Sequence, residues 1–86
     1  MKRLPHNQLE TMEYRYIRQV RLMRNMTQKD FSTIMGLNIG TLSRLESGLI
    51  EFTPYYQELF KEACKRLRVT GAEVVAIRKV LEIKKK

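Results

Sequence analysis

The chain is 86 residues long and carries 17 lysines and arginines against 9 acidic residues, a net charge of +8. Such a length suits one domain with a modest core and is too short for two, while so basic a balance favours a polyanionic partner, nucleic acid or an acidic membrane surface, without choosing between them. The single cysteine excludes an internal disulfide, and no apolar run approaches the length of a membrane span.

The opening Met1-Lys2-Arg3-Leu4-Pro5 is basic but lacks the apolar stretch of a signal peptide, so residues 1–6 are expected to form a flexible basic arm and the protein to be cytoplasmic. Residues 7–86 then make one domain. Asn7 and Glu10 have the spacing of a capping box, opening a first helix that turns Leu9, Met12, Tyr16, Ile17, Val20 and Met23 inward and ends near Arg24. Asn25 tolerates the left-handed backbone that a tight turn needs. Thr27 caps a second helix with Phe31, Ile34 and Met35 at three- and four-residue spacing, and Gly36 supplies the left-handed residue that ends it. Asn38 caps a third helix that buries Leu42 and Leu45 and leaves Ile39, Gly40, Ser43 and Arg44 facing elsewhere. Two steeply crossing helices need a small residue, a positive-φ turn and an apolar residue just past it, and Ser32, Gly36 and Leu37 occupy those places. These spacings alone also suit a plain helical hairpin in an all-α core. Thr53-Pro54 opens a fourth helix running to Leu67, with Tyr56, Leu59, Phe60 and Ala63 inward and Cys64 beside Phe60 as a core residue. Thr70-Gly71 separates it from a fifth, over residues 72–84.

The longer pattern separates a hairpin from something more specific. Gln28 directly after its cap, the run Gly40-Thr41-Leu42-Ser43-Arg44 and the ending Leu45-Glu46-Ser47-Gly48 resemble the DNA-binding domain shared by lambdoid phage repressors, Cro proteins and bacterial XRE-type regulators. The resemblance is strong from Ile17 to Gly48 and weak from Thr53 to Val75. It implies an all-α, five-helix, lambda-repressor-like fold with the helix-turn-helix at helices two and three. It further implies a sequence-specific regulator of transcription that binds double-stranded DNA, a repressor, reading the major groove with residues 39–47. By the same resemblance Arg21 and Glu46 form a structural salt bridge. Base edges are read from Ile39, Gly40, Thr41, Ser43 and Arg44, and phosphates are bonded from Gln28, Asn38, Ser47, Arg21 and Lys29. The residue types suit those tasks. Arginine can donate two bonds to guanine O6 and N7, and isoleucine can touch only a thymine methyl. Free amides in the first turn after Thr27 favour an anion beside Gln28. Gly40 gives up about 1 kcal/mol of helix stability relative to alanine, which points either to a close approach or to a loose first turn.

In the fifth helix Val74, Ile77 and Leu81 form one apolar stripe and Ala76, Val80 and Ile83 a second. A wide buried face in a monomer and a core stripe beside a dimer seam both fit. Family members commonly bind two-fold symmetric operators as dimers, so the expectation is a homodimer joined through Ala76, Val80 and Ile83. One departure from the family stands out. Many relatives carry a basic loop after the third helix, but here Leu49-Ile50-Glu51-Phe52-Thr53 holds an acid and no base. Phosphate contacts then fall to Arg18, Arg24, Lys29, Lys2 and Arg3, although arginines at 15, 18, 21 and 24 drift about 60° per step and cannot all face one way. Alternatively Leu49, Ile50 and Phe52 serve a protein partner, as in an XRE-type antitoxin or adaptor. No enzyme, cofactor or metal site is implied: His6 stands alone in the arm, Cys64 is expected in the core, and the sequence has no phosphate loop or metal-ligand cluster.

Overall fold

The computed structural model of the protein describes residues 13–84. Five helices follow in order: α1 Arg15–Met23, α2 Gln28–Met35, α3 Ile39–Ser47, α4 Pro54–Arg66 and α5 Gly71–Lys84. Among the described residues every regular element is a helix. The expected arm, the capping box of Asn7 and Glu10, and Leu9, Met12, Lys2, Arg3 and His6 all lie outside the described residues.

Four of the five helices, α2 to α5, begin where a side chain takes up a free amide; α1 starts after Tyr14 with no side-chain cap. Thr27 Oγ1 accepts from the Asp30 amide at 3.0 Å while Asp30 Oδ2 accepts from the Thr27 amide at 3.2 Å, a reciprocal capping box. Asn38 Oδ1 accepts from the Thr41 amide at 2.8 Å, and Thr53 caps α4 ahead of Pro54. A second reciprocal box opens α5. Thr70 Oγ1 accepts from the Glu73 amide and Glu73 Oε1 from the Thr70 amide, so this helix starts at Gly71, one residue earlier than expected. Gly36 and Gly48 end α2 and α3 at φ of 74° and 78°, and the non-glycine residues Asn25 and Arg68 take the same left-handed region in the turns before α2 and α5. Gly48 is doubly constrained, because a Cβ placed there would lie 2.9 Å from Tyr14 Cζ.

The core is built from the stripes that the helical spacing marks. Ile17 and Val20 of α1, Phe31 of α2, Leu42 and Leu45 of α3, Ala63 and Cys64 of α4 and Val74 of α5 are completely buried. Phe60 sits at the centre, edge-on to Phe31 at 6.2 Å and to Phe52 at 6.1 Å between ring centroids. Helices α2 and α3 cross one another, α1 packs on α3 and α5, and α2 packs on α4. Ser32 is the one buried polar residue among those described, and its hydroxyl donates to the Lys29 carbonyl at 2.8 Å, so it leaves no unmet group at the helix crossing.

Two expectations about α1 need correction. The helix starts at Arg15 instead of running through from residue 7. Glu13, two positions before Arg15, forms a bidentate pair with it at 2.8 and 2.7 Å, and residues two apart do not meet on a helix. Met23 is exposed, not inward, because the inward line from Tyr16 and Val20 passes to Arg24 and the helix stops there.

Candidate nucleic-acid interface

Helix α3 is held from beneath by a polar cluster drawn from three helices. Glu46 Oε2 accepts from Arg21 Nε at 2.8 Å, and Oε1 accepts from Arg21 Nη2 at 3.0 Å and from Gln28 Nε2 at 3.1 Å. Arg21 Nη1 also donates to the Met26 carbonyl at 3.1 Å. The Arg21 and Glu46 side chains retain only 11% and 6% of their exposure, so water contributes little to satisfying either charge. A pair of that kind is costly to break from one side, since the survivor is left charged and buried. Its consequence is geometric: the C-terminal end of α3 is tied to α1 and to the first residue of α2. Arg21 spends three of its five donors inside the protein, leaving two for any outside acceptor.

The opposite face of α3 is open. Opposite Leu42 and Leu45, Ile39 is about half exposed, Ser43 and Arg44 are exposed, and Gly40 and Thr41 are half-buried. Among the described residues, no hydrogen bond or ion pair engages the Arg44 guanidinium. The Ser47 hydroxyl donates to the Ser43 and Arg44 carbonyls at 3.1 and 3.2 Å, and its lone pairs and position remain at the surface. Lys29 and Asn38 are exposed; Gln28 is half-buried and uses one of its two amide N–H groups on Glu46. The structure therefore brings Ile39, Gly40, Thr41, Ser43 and Arg44 onto one outward surface, with Gln28 and Lys29 at the start of α2, where unpaired backbone amides lend a positive end.

Arg24 belongs to a different part of the molecule. Its guanidinium makes a two-pronged pair with Glu73 at 2.9 and 2.9 Å and donates to the carbonyls of Leu67 and Arg68 at 3.0 and 3.2 Å. It fastens the end of α1 to the α4–α5 turn, so its expected alternative as a phosphate contact is replaced by a structural role. The hydrogen bond from Arg24 holds the Glu73 carboxyl below its ordinary 4.5 and raises the Arg24 guanidinium in turn. The sequence does carry half of this signal, since Thr70 and Glu73 have capping-box spacing; what faces Glu73 across the fold is not local information.

The loop after Gly48 also differs from expectation. Leu49 is exposed, but Ile50 and Phe52 pack against the core, and the Phe52 carbonyl accepts from Gln57 Nε2 at 2.8 Å. Leu49 is thus the one exposed member of the three, with Ile50 and Phe52 half-buried and Phe52 drawn in by Phe60. Cys64 lies inside the core, where burial pushes its thiol up to about 12 and keeps it protonated at neutral pH. Among the described residues there is no cluster of three or more histidine, cysteine or acidic side chains that could hold a metal, and no helix is long and apolar enough to cross a membrane.

Residues 17–56 match the family model described as helix-turn-helix, a span that runs from the first turn of α1 to the first turn of α4 and contains the whole of α2 and α3. No curated protein and no solved structure matches the chain.

Proposed function

From the premise that the chain is an all-α DNA-binding regulator of the XRE-type helix-turn-helix family, we propose that it is a sequence-specific repressor that binds double-stranded DNA as a symmetric dimer. The observation that carries this reading is the contrast between the two sides of α3. One side is anchored by the largely buried Arg21–Glu46–Gln28 cluster, and the other offers an arginine that none of the described residues engages, beside a glycine. A recognition helix needs both, because base discrimination depends on donors held in place before the DNA arrives.

In this reading Arg44 donates to guanine, Ile39 covers a thymine methyl, and Thr41 and Ser43 bond whichever base edge they face. The second N–H of the Gln28 amide, Asn38, Ser47, Lys29 and the two remaining donors of Arg21 bond phosphates and set the register. Few of those groups are full charges, so affinity falls with salt less steeply than for a domain with a basic clamp loop. The exposed stripe Ala76, Val80 and Ile83 forms the seam between two copies, and a symmetric pair of α3 helices about 34 Å apart enters successive major grooves. The antitoxin or adaptor reading is weaker, since two of the three residues that would form its contact are half-buried against the core.

Selection of bound sequences from a random double-stranded DNA pool tests the proposal directly. The expected product is an inverted repeat whose half-site centres lie one helical turn apart. Recovery of no sequence preference, with the folded protein present at micromolar concentration, rejects it.

A further inference from the structure

Gly40 has no visible use inside the protein. Its backbone is an ordinary helix turn, and a Cβ built on it would meet only Asn38 Oδ1 at 3.5 Å and Arg44 Nη1 and Nη2 at 3.9 Å each, all ordinary contacts. Gly36 and Gly48 differ from it in having positive φ. Alanine would therefore fit at 40 and favour the helix, so neither the fold nor the backbone accounts for the glycine.

What the missing side chain does create is space. Arg44 lies four residues on, on the same face, and long helical side chains run back toward the N-terminus of their helix. Here the guanidinium reaches back one turn until both terminal nitrogens lie 3.9 Å from where a Gly40 Cβ would be, a position also flanked by the Asn38 side chain that caps the Thr41 amide. A Cβ leaves that position undisturbed, whereas any side chain with a γ-atom and beyond competes for the same volume. The guanidinium is thus carried from the middle of α3 to its leading end, where a recognition helix places its base-reading groups.

We infer that Gly40 is a specificity-determining position that acts through Arg44: the slot it leaves lets Arg44 read the base pair facing residue 40 instead of the one facing its own Cα. This rests on the DNA-reading role proposed above and deepens it. Gly40 is a positioning residue with a size limit. Alanine is tolerated, and a longer side chain both displaces Arg44 and takes over the same base pair. Gln is the informative replacement, because its amide recognises adenine where arginine recognises guanine.

The test is random-pool selection with the full chain for wild type, Gly40→Ala, Gly40→Gln, Arg44→Ala and the double variant Gly40→Gln/Arg44→Ala, with thermal unfolding of each as a check on folding. Arg44→Ala is expected to lose a guanine preference of about 5- to 150-fold at one base pair. Gly40→Ala keeps that preference within about twofold, consistent with the free space. Gly40→Gln replaces it at the same base pair, and adding Arg44→Ala to Gly40→Gln changes discrimination there by less than about twofold, a non-additivity that two independent contacts do not give. The inference is overturned if Gly40→Gln leaves the Arg44-dependent guanine in place and alters another base pair. It is equally overturned if folded Gly40→Ala loses DNA binding, which would assign the glycine to direct backbone approach. A wild-type protein that selects no sequence removes the DNA-reading proposal itself, and this inference with it.

Discussion

Two arginines about one helical turn apart, Arg21 in α1 and Arg24 at its C-terminal cap, each grip a glutamate from a distant part of the chain, and the two grips differ in what surrounds them. Arg21–Glu46 is nearly shut off from water and lies under α3; Arg24–Glu73 keeps 24% and 31% of its side-chain exposure and pins the start of α5. The same chemistry therefore does unequal work. Where water is excluded, losing one partner leaves a stranded charge; where water has access, it takes the missing partner's place. The unit that carries the proposed reading surface is fastened rigidly, and the helix that carries the proposed dimer seam is fastened by a weaker, pH-sensitive clamp.

The sharpest way to break this comparison is Glu46→Ala. Urea denaturation should show a loss of about 3–5 kcal/mol, enough to threaten folding in a small domain. A loss below about 1 kcal/mol would mean that Arg21 finds solvent or another partner, and the contrast between the two pairs would disappear. Next come the glycines that end the two helices of the reading unit. Gly48→Ala is expected to cost about 2–3 kcal/mol, since positive φ and the Tyr14 ring both oppose a side chain, while Gly36→Ala should cost only about 1 kcal/mol because nothing lies within 4 Å of its Cβ position. Equal melting shifts for the two variants would show that Tyr14 simply moves aside.

The Arg24 clamp sharpens the comparison through pH. Arg24→Ala should cost about 1–2 kcal/mol at neutral pH. Because Glu73 has a lowered pKa in the folded chain, its contribution is complete above the ordinary 4.5 and is lost as the pH falls through the lowered folded value. The stability difference between wild type and Glu73→Gln should therefore be largest near neutrality and shrink in acid; a difference that stays constant down to pH 3 contradicts the assignment. The smallest effect on stability belongs to the exposed stripe of α5. Ile83→Lys should shift unfolding by no more than about 0.5 kcal/mol yet lower the association state in sedimentation, and an unchanged sedimentation profile removes Ile83 from the seam.

Much of this molecule is readable residue by residue. The caps at Thr27, Asn38 and Thr53, the proline at 54 and the glycines at 36 and 48 are local signals, because a helix end is settled by the few atoms within one turn of it. The inward stripes are legible for a related reason: one side chain in three or four must meet the core whatever the core contains. The surface of α3 follows from the same periodicity by subtraction. Less legible was the first helix, where a charge pair between Glu13 and Arg15 marks a start later than the apolar spacing suggests. The loop after Gly48 was misleading for another reason. Leu49, Ile50 and Phe52 are all apolar, and only packing against the core, Phe60 in the case of Phe52, decides how much of each water sees.

By itself the sequence determined five helices, the caps of α2, α3 and α4, most of the buried faces and a helix-turn-helix pattern, all matters governed by backbone geometry over a handful of neighbours, but not the start of α1. Tertiary structure alone decided which charges meet. Arg24 and Glu73 are 49 residues apart, and the sequence offers many arginines and glutamates that could pair. It also decided where Arg44 rests, since a long flexible side chain takes its path from the space its neighbours leave. Local preferences are set by short-range sterics, whereas the choice of partner for a charge or a long side chain is made only when distant segments come together and water is expelled between them.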